Sequence, residues 1–205
     1  NELYIGLPKE THYDEKRICL TPTAVAALTA NGHKIIVESG AGEGTNFSDN
    51  QYAEAGAKIS YNPNDVFACK LILKVEPPSI EEIKMINPQS ILFSAMQIKT
   101  QKKEYYEALA LKRVTAVAFE YIQDTHGFFP IVKSLSEIAG IASVLIASEL
   151  MNNQNEGNGL LLGNISGVPP SKVLIIGAGT VGEFAARSAM GLGANIEVFD
   201  NSLTK

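Results

Sequence analysis

Val173-Leu174-Ile175-Ile176-Gly177-Ala178-Gly179-Thr180-Val181-Gly182 is an apolar run that stops at a G-x-G-x-x-G turn, and Asp200 follows eighteen residues later. Residues 183–192 read as a helix, and Ala194-Asn195-Ile196-Glu197-Val198-Phe199 as the next strand, which delivers the chain to that acid. Strand, turn, helix, strand and acid in this order make a dinucleotide-binding fingerprint rather than a stray glycine match. Gly177 is expected to make the tight turn, Gly179 to let a pyrophosphate approach the backbone, and Gly182 to let helix and strand pack closely. The phosphates would rest on unpaired N–H groups at the helix start, beside Thr180 and Val181. The plainer alternative, glycines that only ease packing, gives no role to the acid at the strand end.

Asp200 also sorts the cofactors. A carboxylate there can bond both ribose hydroxyls and repels a 2′-phosphate, which favours NAD over NADP. Asn201 and Ser202 are neutral, and Lys205 is the only nearby cation. A doubly wound dinucleotide domain uses two βαβαβ halves. The sequence stops five residues after Asp200, and Asn1 is no initiator methionine. The expectation is therefore an N-terminal fragment, or a protein lacking the second half of its nucleotide domain.

At 205 residues with 45% hydrophobic content, the chain can build one large or two modest cores. A net charge of −5 and a pI near 5.3 argue against nucleic acid or an anionic membrane as partner. Cys19 and Cys69 lack zinc or CxxC spacing and suit a reducing compartment, so a cytoplasmic location and no metal are expected. Asn1-Glu2-Leu3 leads directly into a strand pattern, without a signal peptide. The longest apolar stretch, Ile138 to Leu150, is broken by Gly140, Ser143 and Ser148 and reads as too short to span a bilayer.

Residues 1–130 alternate strands and helices, the pattern of a parallel sheet covered on both faces. Leu3 to Leu7 is strand-like, and Thr21-Pro22 opens a helix that Asn31-Gly32 stops. Lys34 to Glu38 reads as a strand, Ser48 caps a short helix through Ala55, and residues 71–73 and 90–93 are short buried strands. Ser79-x-x-Glu82 has capping-box spacing ahead of another helix. Gln101 to Leu111 is helical and Val114 to Phe119 a strand. A second capping box, Ser134-x-x-Glu137, starts a long helix to about Asn152. The expected fold is α/β: a Rossmann-like substrate domain with a parallel sheet over 1–130, then, over 131–205, a linking helix and the first half of a doubly wound NAD-binding domain.

Three segments of the first domain call for chemistry. Gly6-Leu7-Pro8-Lys9-Glu10 with Arg17-Ile18-Cys19-Leu20-Thr21-Pro22 places Arg17 over the sheet's carboxyl edge, where its fork could clasp a carboxylate. A surface arginine paired with Glu15 or Asp14 is equally compatible. Lys74, directly after the run Leu71-Ile72-Leu73, could hold a substrate carboxylate or polarise a carbonyl. The alternative is a lysine that snorkels to solvent beside Glu76. Gln97 ends a third strand and can bond a carbonyl, but it moves no protons at neutral pH. His33 suits a structural role near a helix C-terminus, and His12 and His126 sit in loops.

Together with the nucleotide turn, these segments resemble the alanine dehydrogenase and pyridine nucleotide transhydrogenase family along essentially the whole chain. Gly6 to Glu10, Arg17 to Pro22, Lys74-Val75-x-Pro77, Ser136-Glu137-Ile138-Ala139-Gly140 and Gly177 to Gly182 occur in family order. The resemblance implies that Arg17 and Lys74 bind the pyruvate or alanine carboxylate and carbonyl. It places Ser136 at the cofactor cleft and Asp200 on the adenosine ribose. In one respect the chain departs from the family: its alanine dehydrogenases carry a catalytic histidine where Gln97 stands, and the family's catalytic aspartate would lie beyond Lys205.

The resemblance implies an NAD-dependent oxidoreductase that converts L-alanine, NAD and water to pyruvate, ammonia and NADH, with Lys74, Arg17 and Gln97 facing a small amino-acid or 2-oxo-acid substrate. A homo-oligomer is expected, without nucleic acid or membrane as partner. The alternatives are the NAD-binding part of a transhydrogenase α subunit, and a dinucleotide-binding module without catalysis. Arg17 and Lys74 speak against the last, since pure binding needs neither. Saccharopine dehydrogenases share the layout, so the amino acid could be larger.

Overall fold

The computed structural model describes residues 2–202. Lys205, the cation noted near Asp200, lies outside them, as does Asn1. The chain forms two compact units that divide between Tyr121 and Ile122.

The first unit is a six-stranded sheet with every pair parallel. Its strands are β1 (Tyr4–Leu7), β2 (Lys34–Glu38), β3 (Lys58–Ser60), β4 (Leu71–Leu73), β5 (Ile91–Ser94) and β6 (Thr115–Ala118), in the order β3-β2-β1-β4-β5-β6. The chain thus winds outward from β1 to one edge, returns beside β1 as β4, and winds to the other edge. Between β1 and β4 the crossovers depart in opposite directions, and a crevice opens at the strands' carboxyl ends. Glu10 follows β1 and Lys74 follows β4, so both border that crevice.

The helices form where local chemistry asks for them. The helix α1 (Pro22–Ala30) starts on Thr21, whose side chain accepts from Ala24 N, with Pro22 in the first turn and Asn31 as C-cap. Capping boxes at Ser48 and Ser79 start α2 (Asp49–Glu54) and α4 (Ile80–Met85). Between them lie β3 and the helix α3 (Pro63–Phe67), two elements that the periodicity does not announce. The fifth helix-and-strand step is α5 (Lys103–Leu111) into β6. One core cluster joins Ile5, Leu7, Ile35 and Val37 of β1 and β2 to Val25 and Tyr52 of α1 and α2. A second joins Ile72 and Leu92 of β4 and β5 to Phe67, Ile83, Tyr105 and Leu109.

The second unit holds α6 (Pro130–Leu150), β7 (Lys172–Ile176), α7 (Thr180–Gly191) and β8 (Asn195–Phe199), with β7 and β8 parallel. The Ser134 capping box is not formed. Pro130 takes a first-turn position, which its fixed φ suits, and α6 is already a turn old at Ser134, whose hydroxyl donates back to Pro130 O at 3.3 Å. The apolar stretch is also longer than it reads. With 21 residues and a mean hydropathy of 1.6 over its most apolar 18, α6 is, among the described residues, the one helix long and apolar enough by length and composition to cross a membrane. Its buried positions Gly140 and Val144 lie against α7, where a Cβ on Gly140 would meet Val181 O at 2.5 Å and Phe184 Cβ at 2.8 Å. Only side-chain-free backbone allows that approach.

Candidate functional site

The glycine turn of the second unit has the geometry its sequence requires. Gly177 adopts φ +104°, a left-handed conformation that side chains resist, while its N–H donates to Phe199 O at 2.7 Å. A Cβ on Gly182 would collide with the Gly177 carbonyl oxygen, so turn and helix lie in direct contact. A Cβ on Gly179 would meet nothing within 4 Å, which leaves open space above the turn. The helix α7 begins at Thr180 with Gly179 as N-cap and no side-chain cap, so its first amides have no side-chain partner. That helix begins one turn earlier than the residues from Glu183 suggested. Beside it lies a cavity of about 700 Å³ lined by Ser136, Gly177, Gly179, Thr180, Val181 and Gly182, among others. Asp200 ends β8 and accepts from Ala178 N at 2.6 Å and Ser202 N at 2.8 Å, which binds the acid to the turn itself.

In the first unit the crevice is a cavity of about 910 Å³ whose lining includes Glu10, His12, Lys74, Glu76 and Gln97. Lys74 does not snorkel to solvent. Its side chain is 1% exposed, and Nζ lies 2.8 Å from Glu10 Oε2 and 3.4 Å from Glu82 Oε1. Both partner side chains are buried too, at 6% and 8% exposure. Glu10 also accepts from Val75 N at 2.6 Å, and Glu82 from Ser79 N at 2.6 Å as part of the α4 capping box. One ammonium thus serves two carboxylates. Two of its three donors are taken, and the cluster carries more negative than positive charge.

Arg17 stands apart from that cluster. Its Nε and Nη2 donate to the two Glu15 oxygens at 2.9 and 2.6 Å, and the side chain is 52% exposed. This bidentate clasp raises the Arg17 pKa and lowers that of Glu15, with Glu76 and Glu10 adding weaker attraction on Arg17. Arg17 lines a neighbouring cavity that shares Glu10 and His12 with the first. Gln97 does border the Lys74 cavity. Its backbone is left-handed at φ +46°, and its Nε2 donates to Glu76 Oε2 at 2.7 Å.

The sequence pointed to Lys74 and Gln97 but not to the acids that hold them. Glu10 and Glu76 are visible only as members of the motifs that carry Arg17 and Lys74, Glu82 through the Ser79-x-x-Glu82 spacing, and Glu120 through no local signal. Glu120 Oε1 accepts from Met96 N at 2.8 Å and from Gln97 N at 2.9 Å, while its buried Oε2 has no hydrogen-bond partner. Cys19, close to the cluster, is pushed up to about 12, first by burial and then by the charge of Glu10. His33 Nδ1 accepts from Leu3 N, a structural task. Among the described residues no cluster of His, Cys, Asp and Glu could hold a metal ion.

Residues 6–139 match the family model described as alanine dehydrogenase/PNT, N-terminal domain, and residues 143–205 match the corresponding C-terminal domain. The chain is 39% identical over 196 residues to an alanine dehydrogenase of Staphylococcus epidermidis, covering 96% of this chain and 53% of that protein. It is 37% identical over 198 residues to an alanine dehydrogenase of Bacillus subtilis, covering 97% and 52%. Among solved structures, an L-alanine dehydrogenase superposes with a TM-score of 0.93 at 34% identity, covering 98% of this chain and 56% of the other. A transhydrogenase from Sinorhizobium meliloti superposes with a TM-score of 0.85 at 25% identity, covering 98% and 60%. The chain spans about half the length of the curated relatives it matches.

Proposed function

Because the chain belongs to the alanine dehydrogenase/PNT family, we propose that this protein is an NAD-dependent dehydrogenase of L-alanine or a closely similar small amino acid. The observation that carries the reading is the glycine turn: open space above Gly179, uncapped amides from Thr180 onward, and Asp200 bonded to the turn at the strand end. When bound there, NAD supplies the hydride acceptor for oxidation of the Cα–N bond. The chain's own residues bind and orient. The amides of the α7 start would receive the pyrophosphate. Asp200 would accept from the adenosine ribose and repel a 2′-phosphate. Ser136 and Thr180 line the same cavity. In the first unit, Lys74 has one donor beyond those given to Glu10 and Glu82, and that N–H is suited to a substrate carboxylate or carbonyl oxygen. Arg17 would add a fork for the carboxylate on exchanging its clasp on Glu15.

Gln97 favours a second reading. A carboxamide stands where the family's alanine dehydrogenases carry a proton-transferring histidine, and hydride exchange between two nicotinamides, as in a transhydrogenase, needs no such group. Assaying NADH formation from L-alanine and NAD decides between them. Steady turnover on the order of 1–1,000 per second supports the dehydrogenase. No amino-acid oxidation together with hydride exchange between dinucleotides supports the alternative. Asp200→Ser should weaken NAD by about 1.5–3 kcal/mol and narrow the gap to NADP. An unchanged ratio of the two affinities would remove Asp200 as the selector.

A further inference from the structure

We propose that Glu76 is the residue that receives the substrate's ammonium group, and that Glu120 acts through Gln97 to hold it in place. The amino-acid substrate is taken from the dehydrogenase reading; the assignment of the subsite comes from the cavity itself. Pairing between β4 and β5 runs on past their ends, since Lys74 N donates to Phe93 O and Ala95 N to Val75 O. The end of β4 is thereby tied to β5 before the chain bends at Val75 and Glu76. Lys74 and Glu76 line one cavity, while Val75 between them is buried in the core.

The two differ in how they are neutralised. Lys74 already serves Glu10 and Glu82. Glu76 forms no ion pair among the described residues; its side-chain partner is the neutral amide of Gln97 at 2.7 Å. The other charged groups on the cavity wall are Glu104 and Lys102, with His12 at its mouth and Arg17 held by Glu15 next door. Glu76 is thus a partly buried carboxylate, held by a neutral donor and attracted only weakly by Arg17, beside a lysine with a spare N–H. An α-amino acid offers an ammonium and a carboxylate on a single carbon, and that pair matches the two side chains. A 2-oxo or 2-hydroxy acid has no cation for Glu76 and meets its repulsion.

Glu120 sets the geometry from behind. One of its oxygens takes the N–H groups of both Met96 and Gln97, which pins the loop after β5 in the left-handed turn at Gln97 and aims the Gln97 amide at Glu76. Glu120 is therefore a positioning residue, and substrate selectivity rather than activity alone reports on it.

The test titrates L-alanine and pyruvate into the intact protein with saturating NADH and no ammonium, where alanine cannot be oxidised and pyruvate cannot be aminated. Glu76→Gln should weaken L-alanine about 10- to 100-fold and leave pyruvate unchanged or tighter. Glu120→Ala should lower the alanine-to-pyruvate affinity ratio in the same direction, and Glu120→Gln, which keeps an acceptor oxygen, should restore it. If Glu120→Ala does not fold, Gln97→Ala takes its place. Equal weakening of both ligands, or unchanged alanine binding in Glu76→Gln, overturns the proposal. Wild type that binds alanine here but forms no NADH in the separate assay with L-alanine and NAD ends the dehydrogenase reading and leaves Glu76 to be judged on the ratio. NADH formation with an unmoved ratio does the reverse, and wild type that binds neither ligand ends both.

Discussion

Removing the charge of Lys74 strands two buried carboxylates at a buried site, whereas removing that of Arg17 strands one, Glu15, at a site that water reaches through the half-exposed arginine. Breaking a buried pair from one side costs about 3–5 kcal/mol, and leaving the single Glu15 carboxylate without its half-exposed partner about 1–3 kcal/mol. Urea unfolding of Lys74→Met and Arg17→Ala should separate the two by that margin, and equal losses would show the Lys74 cluster to be wetter than its geometry implies. Cys19 gives a pH signature. Burial lifts its thiol from 9.0 to about 12. Between those values the unfolded chain releases a proton that the native chain keeps, so stability falls as pH rises through the window. Melting curves from pH 8.5 to 11 should show the fall, and Cys19→Ala should make it shallower, the remainder including Cys69, which burial lifts to about 11. At this scale the sequence was half legible. A lysine behind three apolar residues advertises itself, but Glu10 lies 64 residues away from it and Glu120 lies 23 from Gln97. Only the sheet brings them together.

Among the elements, the contact between α6 and α7 depends on an absent side chain. Gly140→Leu would drive a branched chain into Val181 O and Phe184. It should cost about 1–3 kcal/mol, read as a lower unfolding midpoint, and an unchanged midpoint would mean that α6 can slide. Element starts were legible where the signal is local and complete: Thr21-Pro22 and the boxes at Ser48 and Ser79 all form. Ser134-x-x-Glu137 has the same spacing but sits downstream of Phe129-Pro130, a stronger start, so the helix had begun before the box could act. The strand β3 has three residues, and what makes it a strand is β2 alongside, pairing Ile36 with Lys58. Periodicity needs more length than that. Asn62-Pro63 is the local start signal of α3, with the Asn62 side chain accepting from Asn64 N.

For the molecule as a whole, the two units are unequally buried. The second unit's core cluster consists of Val144, Leu162 and three alanines, while Leu174, Ile176, Val198 and Phe199 of its strands stand exposed, Ile176 at 85%. Little apolar area is removed from water there, so it should open more readily than the first unit. Amide exchange should be faster throughout β7, α7 and β8 than in β1, β2 and β5. On the proposed reading, NAD at a hundred times its dissociation constant should raise the opening free energy of that unit by about 2.7 kcal/mol. Uniform exchange across the chain would refute the asymmetry. The strand order of the first unit also sets a timetable. Ile5 pairs with Ile35 on one side and with Leu71 on the other. At roughly 5–20 residues per second of synthesis, β1 waits several seconds on the ribosome for its second neighbour. During that interval one edge of β1 is open to any strand that passes. The seam between β1 and β4, along which the crevice opens, therefore closes only after the β1–β2 and β2–β3 pairs on its other side, and a nascent chain halted before Lys74 would carry Glu10 without the lysine that it pairs with.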